Sequence, residues 1–283
     1  MKVINNNMFK KNETKVALIY DFDGTLSPGN MQEFGFIEAV GKTKEDFWAK
    51  SEAISEGQDA SEILSYMKLM IDEARAAGVK LKRESFTSFG KKIELYKGVK
   101  EWFKLINEYG HKKGIKIEHY INSSGLTEMI EGSPIAGEFE KIFACSFLYD
   151  VNGVAVWPSV AVDYTAKTQF LFKINKGIKE IRDHKKVNEY VPEDQRPIPF
   201  SRMIYFGDGA TDIPCMKLVK QFGGNSIAVY QNGNKAKVQK LIKEDRVNFI
   251  TYADYTKNSK TYKIVTTIID KIHAEIELDK LKD

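Results

Sequence analysis

The sequence has little cysteine and little histidine. Only Cys145 and Cys215 occur, far apart in the chain. They make neither a disulfide framework nor a metal-ligand pattern, and in a reducing compartment both read as buried thiols. The four histidines, His111, His119, His184 and His273, do not cluster, which argues against a zinc site or a serine–histidine–aspartate triad. An excess of one charge is lacking too. Lys+Arg 43 against Asp+Glu 39 leaves +4, and the lysines are scattered, which is not the footprint of a nucleic-acid binder. No apolar run approaches the ~18 residues that a membrane span needs. The opening MKVINNNMFKKNETK has no apolar signal core and no cleavage pattern. The expectation is a cytoplasmic protein without a nucleic-acid or membrane partner. Internal repeats and low-complexity segments are also absent.

What is present is enough apolar material for a substantial core, 42% hydrophobic and 12% aromatic residues over 283 positions, as one large domain or two small ones. Val16 to Ile19 form a continuous apolar run, as a central parallel strand buried on both faces requires. Residues 32–90 show helical spacing, and 98–109 form an amphipathic helix. Strands are expected at 116–122 (KIEHYIN), 141–147 (KIFACSF), 203–206 and 226–230, and a β-hairpin at 149–157 turning on Asn152-Gly153. Helices are expected at 168–185, from 212, and at 260–281. Strands alternating with helices predict an α/β fold with a mainly parallel sheet flanked by helices.

Three of those strands end in polar, glycine-flanked tips: DFDGT, NSSG and GDGATD. Ligands bind at the C-terminal ends of parallel strands. Together these tips bring Asp21, Asp23, Asp208 and Asp212 to one place, and carboxylates so close repel. A hard cation, Mg²⁺, relieves the repulsion with oxygen ligands. Asp21, kept ionised, can then attack phosphorus. Asp23 can protonate a leaving oxygen and later activate water. Gly24, in the turn that follows, keeps the backbone open so that amide N–H groups can face phosphate oxygens, and Gly24 and Thr25 are candidate substrate-binding residues. Ser123 supplies a hydroxyl, with Ser124 as its alternative, and Lys167 a cation that neutralises the transferring group. Lys173 and Lys176 are rivals for that role.

These pieces, in this order, resemble the haloacid dehalogenase superfamily in its phosphatase branch, and the phosphoserine phosphatase-like group within it. DFDGTL matches the first motif, Ser123 the second, Lys167 the third and GDGATD the fourth. The resemblance implies a Rossmann-like core and an aspartyl-phosphate on Asp21. It also implies a metal site in which Asp23 lends its backbone carbonyl, Asp208 binds directly and Asp212 supports. Ser123 follows Asp21 by 102 positions, which far exceeds a simple crossover. The excess implies an α-helical cap domain at 28–96, inserted into a core of 1–27 and 97–283. Glu33, Phe34, Trp48, Lys50 and Arg75 are its candidate substrate contacts. The expected function is Mg²⁺-dependent hydrolysis of a small phosphorylated metabolite. The alternatives are a phosphotransferase or phosphomutase, a phospho-aspartate signalling module, and a dehalogenase.

Overall fold

The computed structural model describes residues 14–282; residues 1–13, including most of the N-terminal segment discussed above, lie outside it. The chain runs β1 (Thr14–Tyr20), α1 (Phe36–Ala39), α2 (Lys44–Gln58), α3 (Glu62–Ala76), α4 (Arg83–Gly90), α5 (Val99–Lys112), β2 (Ile115–Leu126) and α6 (Thr127–Gly132). It continues with β3 (Lys141–Tyr149), β4 (Ala155–Val160), α7 (Thr168–Asn175), α8 (His184–Asn188), β5 (Met203–Gly207), α9 (Ile213–Gln221), β6 (Asn225–Tyr230), α10 (Lys235–Lys243), β7 (Phe249–Tyr252) and α11 (Lys260–Asp279). Among the described residues no helix is long and apolar enough to cross a membrane.

One sheet carries the strands in the order β4-β3-β2-β1-β5-β6-β7. All neighbours pair in parallel except β3 and β4, which form the antiparallel hairpin. The strand with the continuous apolar run, β1, sits in the centre and is buried from Val16 to Tyr20. β2 and β5 flank it on opposite sides, so the order of strands reverses there, the place where open α/β sheets bind ligands. Register sets the geometry. Tyr20 pairs with Ile121 on one side and with Phe206 on the other. Asp21, Ser123 and Asp208 therefore leave the sheet at nearly one level.

Beneath this edge lies a polar relay inside the core. Trp102 Nε1 donates to the Tyr20 hydroxyl at 2.8 Å, and that hydroxyl lies 3.0 Å from His119 Nδ1. Because Tyr20 already accepts from Trp102, its proton goes to Nδ1. His119 then carries its proton on Nε2, which lies 3.0 Å from Asn107 Oδ1. Burial pushes the His119 imidazole down to about 3, so it stays neutral.

Helices α1 to α4 all fall between β1 and α5, and their buried residues join those of the sheet in one continuous apolar core. α4 crosses α6 backbone to backbone. A Cβ on Gly90 would stand 2.0 Å from the Met129 carbonyl oxygen, and one on Gly132 would stand 2.2 Å from that of Thr87. Just before α4, Lys82 bridges to Val154 of the hairpin, and the Ala155 N–H donates to the Leu81 carbonyl at 2.8 Å.

The structure departs from the sequence expectations at several boundaries. β2 runs on through Ser123 and Ser124 to Leu126. The helix expected at 168–185 ends at Asn175, because Gly177, at φ 70°, turns the chain. α10 and β7 were not anticipated: α10 is short and lysine-rich, and β7 has four residues.

Candidate active site

The cavity over the centre of the sheet has a volume of about 600 Å³. Asp21, Asp23, Ser123, Ser124 and Asp208 all line it. Asp21 caps β1: its N–H donates to the Phe206 carbonyl at 2.9 Å, which locks it against β5. Its Oδ1 accepts the Phe22 N–H at 2.8 Å and lies 3.2 Å from Lys167 Nζ. One ligand oxygen from each of Asp21, Asp208 and Asp212 lies within 4.8 Å of the others. Such a donor set, all hard oxygen, buried and mutually repelling, fits a divalent cation.

The electrostatics agree with that reading. Burial, with Asp212 adding to it, pushes the Asp21 carboxyl up to about 6. Burial and the charge of Asp21 push Asp208 up to about 8. Asp23 is raised well above the usual carboxylate range, first by burial and then by Asp21. A carboxyl whose protonated form is favoured in this way is suited to act as an acid. The Asp23 Oδ1 accepts the Met31 N–H at 3.0 Å, and its carboxylate is not one of the three whose oxygens lie within 4.8 Å of one another. Among its side-chain atoms, then, Asp23 is no part of the acidic cluster; only its carbonyl is left for the metal role expected of it.

Lys167 is fully buried. It lies 2.7 Å from Asp212 Oδ1, and its ammonium is held above the usual range. Burial alone would depress it, but Asp21 and Asp212 outweigh that. The rivals are tied up elsewhere: Lys173 donates to the carbonyls of Glu180 and Asp183, and Lys176 to those of Val187 and Glu189. Asp212 is fully buried and also accepts from Tyr205 OH at 2.8 Å and from the Asp208 N–H at 3.3 Å. It braces Lys167 and the loop that carries Asp208. Tyr205 was missed from the sequence, where an aromatic within an apolar strand reads as core.

Two expectations about the first turn need correction. Gly24 lines the cavity, but its N–H donates to the Ser27 carbonyl at 2.8 Å instead of facing a ligand. Glycine is required there for another reason. At φ 71°, a Cβ would lie 2.1 Å from Asp208 Oδ2, so only a bare backbone lets the two tips close together. Thr25 does not line the cavity: it is buried, and its carbonyl accepts from Tyr255 OH at 2.7 Å. Gly207 acts as Gly24 does, since a Cβ there would lie 2.4 Å from the Asp212 carboxylate carbon.

Ser123 Oγ accepts the Gly125 N–H at 3.0 Å, whereas Ser124 Oγ is buried without a partner. Both hydroxyls stay candidates for the phosphate. Of the five candidate contacts from residues 28–96, only Trp48 lines the cavity. Glu33 holds the Trp48 indole N–H at 3.0 Å, and Lys50 pairs with Glu73. Tyr66, Gln32 and a row of α2 residues reach the cavity unforeseen. Their helical spacing was visible, but which face meets the sheet was not.

A model of the haloacid dehalogenase-like hydrolases matches residues 18–217. The chain is 32% identical over 277 residues to an uncharacterized protein of Borreliella burgdorferi, covering 88% of this chain and 95% of that one. Among solved structures it resembles a phosphoserine phosphatase captured as a phospho-aspartyl intermediate analogue, with TM-score 0.54, 18% identity, and 90% and 99% of the two chains covered. It also resembles a HAD family hydrolase of Salmonella enterica serovar Typhi, with TM-score 0.53 and 17% identity, over 79% of this chain and 64% of that one. At such identities these two likenesses are of fold.

Proposed function

The chain belongs to the haloacid dehalogenase-like hydrolases, and we propose that it is a Mg²⁺-dependent phosphatase that hydrolyses a small phosphomonoester through an aspartyl-phosphate on Asp21. The observation that carries this reading is the convergence of Asp21, Asp208 and Asp212 at the ends of two adjacent parallel strands, with Lys167 buried behind them. Asp21 and Asp208 would hold the cation, with the Asp23 carbonyl. When bound, it would neutralise charge on the transferring phosphoryl group.

The chain's own residues do the rest. Asp21, held through Oδ1 by Phe22 and Lys167, attacks phosphorus and displaces the alcohol. Asp23, protonated because its carboxyl is buried beside Asp21, gives its proton to the leaving oxygen. Now ionised, it takes a proton from the water that attacks the aspartyl-phosphate, which frees phosphate and restores Asp21. Ser123 and Ser124 offer hydroxyl donors to the phosphoryl oxygens. Helices α1 to α3 act as a cap that excludes water and reads the leaving group. Tyr66 ties the cap to the core by donating to the Ser124 carbonyl at 2.7 Å.

The test is phosphate release from a panel of small esters with Mg²⁺, with product analysis in the presence of acceptor alcohols. Release from none of them, with the protein folded, refutes the reading. Transfer to an alcohol in place of water would make it a phosphotransferase.

A further inference from the structure

A phosphoryl group fills only a small part of the cavity, so the rest is shaped for whatever the phosphate is esterified to. That outer part is furnished by one face of α2: Trp48, Ser51, Glu52, Ser55 and Glu56 line it, at helical spacings i, i+3, i+4, i+7 and i+8. From α3 come Glu62 and Tyr66, one turn apart. Three glutamates thus face the space, and among the described residues lining it there is no lysine, arginine or histidine. The nearby Lys50 is turned away to Glu73, and Lys167 is sealed behind Asp21. An adjoining hollow shares Glu56 and Glu62 and adds Asp59 and Asp163.

An independent feature points the same way. Gln32 lines the cavity, is 2% exposed, and has a side-chain oxygen with no hydrogen-bond partner. It is an acceptor that lacks a donor. Trp48 and Tyr66 add aromatic rings, with centroids 6.0 Å apart and planes 66° apart. Carboxylates, an unpaired amide oxygen and ring faces all attract a cation. An ester whose alcohol carries a carboxylate would set a further negative charge among the glutamates, with no basic side chain to receive it.

Building on the phosphatase reading, we propose that the substrate is the phosphate ester of a cationic alcohol, an alkanolamine with a primary or quaternary ammonium group. The cation sits between the glutamate face of α2 and the Trp48–Tyr66 pair, while the phosphate sits on Asp21.

The experiment compares kcat/KM, with Mg²⁺, for phosphoethanolamine and phosphocholine against phosphoserine and glycerol 2-phosphate. p-Nitrophenyl phosphate serves as an ester with a neutral, activated leaving group. At least one cationic ester should exceed phosphoserine by about tenfold or more, the factor that one well-placed charge contact supplies. Glu52→Gln and Glu56→Gln should each narrow that ratio by raising KM for the cationic ester. Preference for phosphocholine assigns the cation to the rings, and preference for phosphoethanolamine assigns it to the acceptors; both support the proposal. Phosphoserine or glycerol 2-phosphate turned over as well as the cationic esters overturns it and leaves the phosphatase reading standing. Phosphate released from no ester, p-nitrophenyl phosphate included, removes both.

Discussion

Replacing Lys167 with methionine removes a buried positive charge while nearly preserving volume. In the intact protein the ammonium lies 3.2 Å from Asp21 and 2.7 Å from Asp212, and is fully buried. Asp212 keeps Tyr205 and two backbone N–H groups as partners; Asp21 keeps Phe22. Removing one partner of a buried ion pair costs about 3–5 kcal/mol, and those surviving partners place this case at about 3 kcal/mol. A domain's whole stability is about 5–15 kcal/mol, so the loss is easily measured. The pH dependence has a definite sign. The Asp21 carboxyl, already pushed up to about 6 by burial and by Asp212, rises further once Lys167 is gone. A folded-state value above the unfolded one removes stability as pH rises through it. The deficit of Lys167→Met should therefore be larger at pH 8 than at pH 5.5. Urea unfolding of metal-free protein at both pH values gives the difference. The double variant Lys167→Met/Asp212→Asn should regain part of the loss, through a coupling of about 0.5–3 kcal/mol. A deficit under about 1 kcal/mol that does not change with pH would refute the idea that Lys167 balances these carboxylates.

Four other outcomes are expected. Gly24→Ala forces a Cβ to within 2.1 Å of Asp208 Oδ2, so phosphate release should collapse while circular dichroism stays near native; unchanged turnover contradicts the close approach. Asp21→Asn should abolish turnover and Asp23→Asn should slow both formation and breakdown of the phospho-enzyme, as single-turnover quench would resolve. EDTA should stop hydrolysis, and Mg²⁺ binding to the native state should stabilise it by about 2.7 kcal/mol at a hundredfold excess over its Kd, raising the melting temperature; a flat thermal shift counts against the acidic cluster as a cation site. Below about pH 6.5 the unfolded His119 takes up a proton that the folded imidazole, pushed down to about 3 by burial, refuses. That one group should then cost up to about 1.4 kcal/mol of stability per pH unit towards acid, opposite in sign to the buried carboxyls of the site, and His119→Gln should remove its contribution from the pH dependence of the urea midpoints.

The catalytic edge was legible because its signals are local. An apolar strand ending in DFDGT, and a second ending in GDGATD, state both where the strands stop and which residues stand there. Lys167 was legible through its place in the order, and the structure separates it from Lys173 and Lys176 by its partners, the carboxylates of Asp21 and Asp212 against backbone carbonyls, which no local pattern announces. The substrate side was not legible. Residues 48–56 have charged and polar residues around much of the helix, so periodicity does not say which stripe faces inward. Gly24 and Gly207 look like turn glycines; their real constraint is the carboxylate of another segment, a contact set by tertiary packing. β7 was invisible for a related reason: with Phe249 partly exposed and only four residues long, it is a strand by virtue of pairing with β6.

The crossing of α4 with α6 bears on how the protein can be taken apart. At Gly90 and Gly132 the two backbones touch with no side chain between them, so neither helix can slide or tilt without collision. Backbone bonds at residues 81–82 fasten the start of α4 to the hairpin as well. Mechanically, α4 is part of the chassis, although in sequence it belongs to the insertion. We propose that the exchangeable part of the cap is shorter than residues 28–96 and ends before Leu81. A chimera that swaps α1 to α3 for those of another family member keeps the joint whole. One that swaps everything to Tyr96 pulls a helix out of the floor of the catalytic body, and its failure to fold would say nothing about specificity.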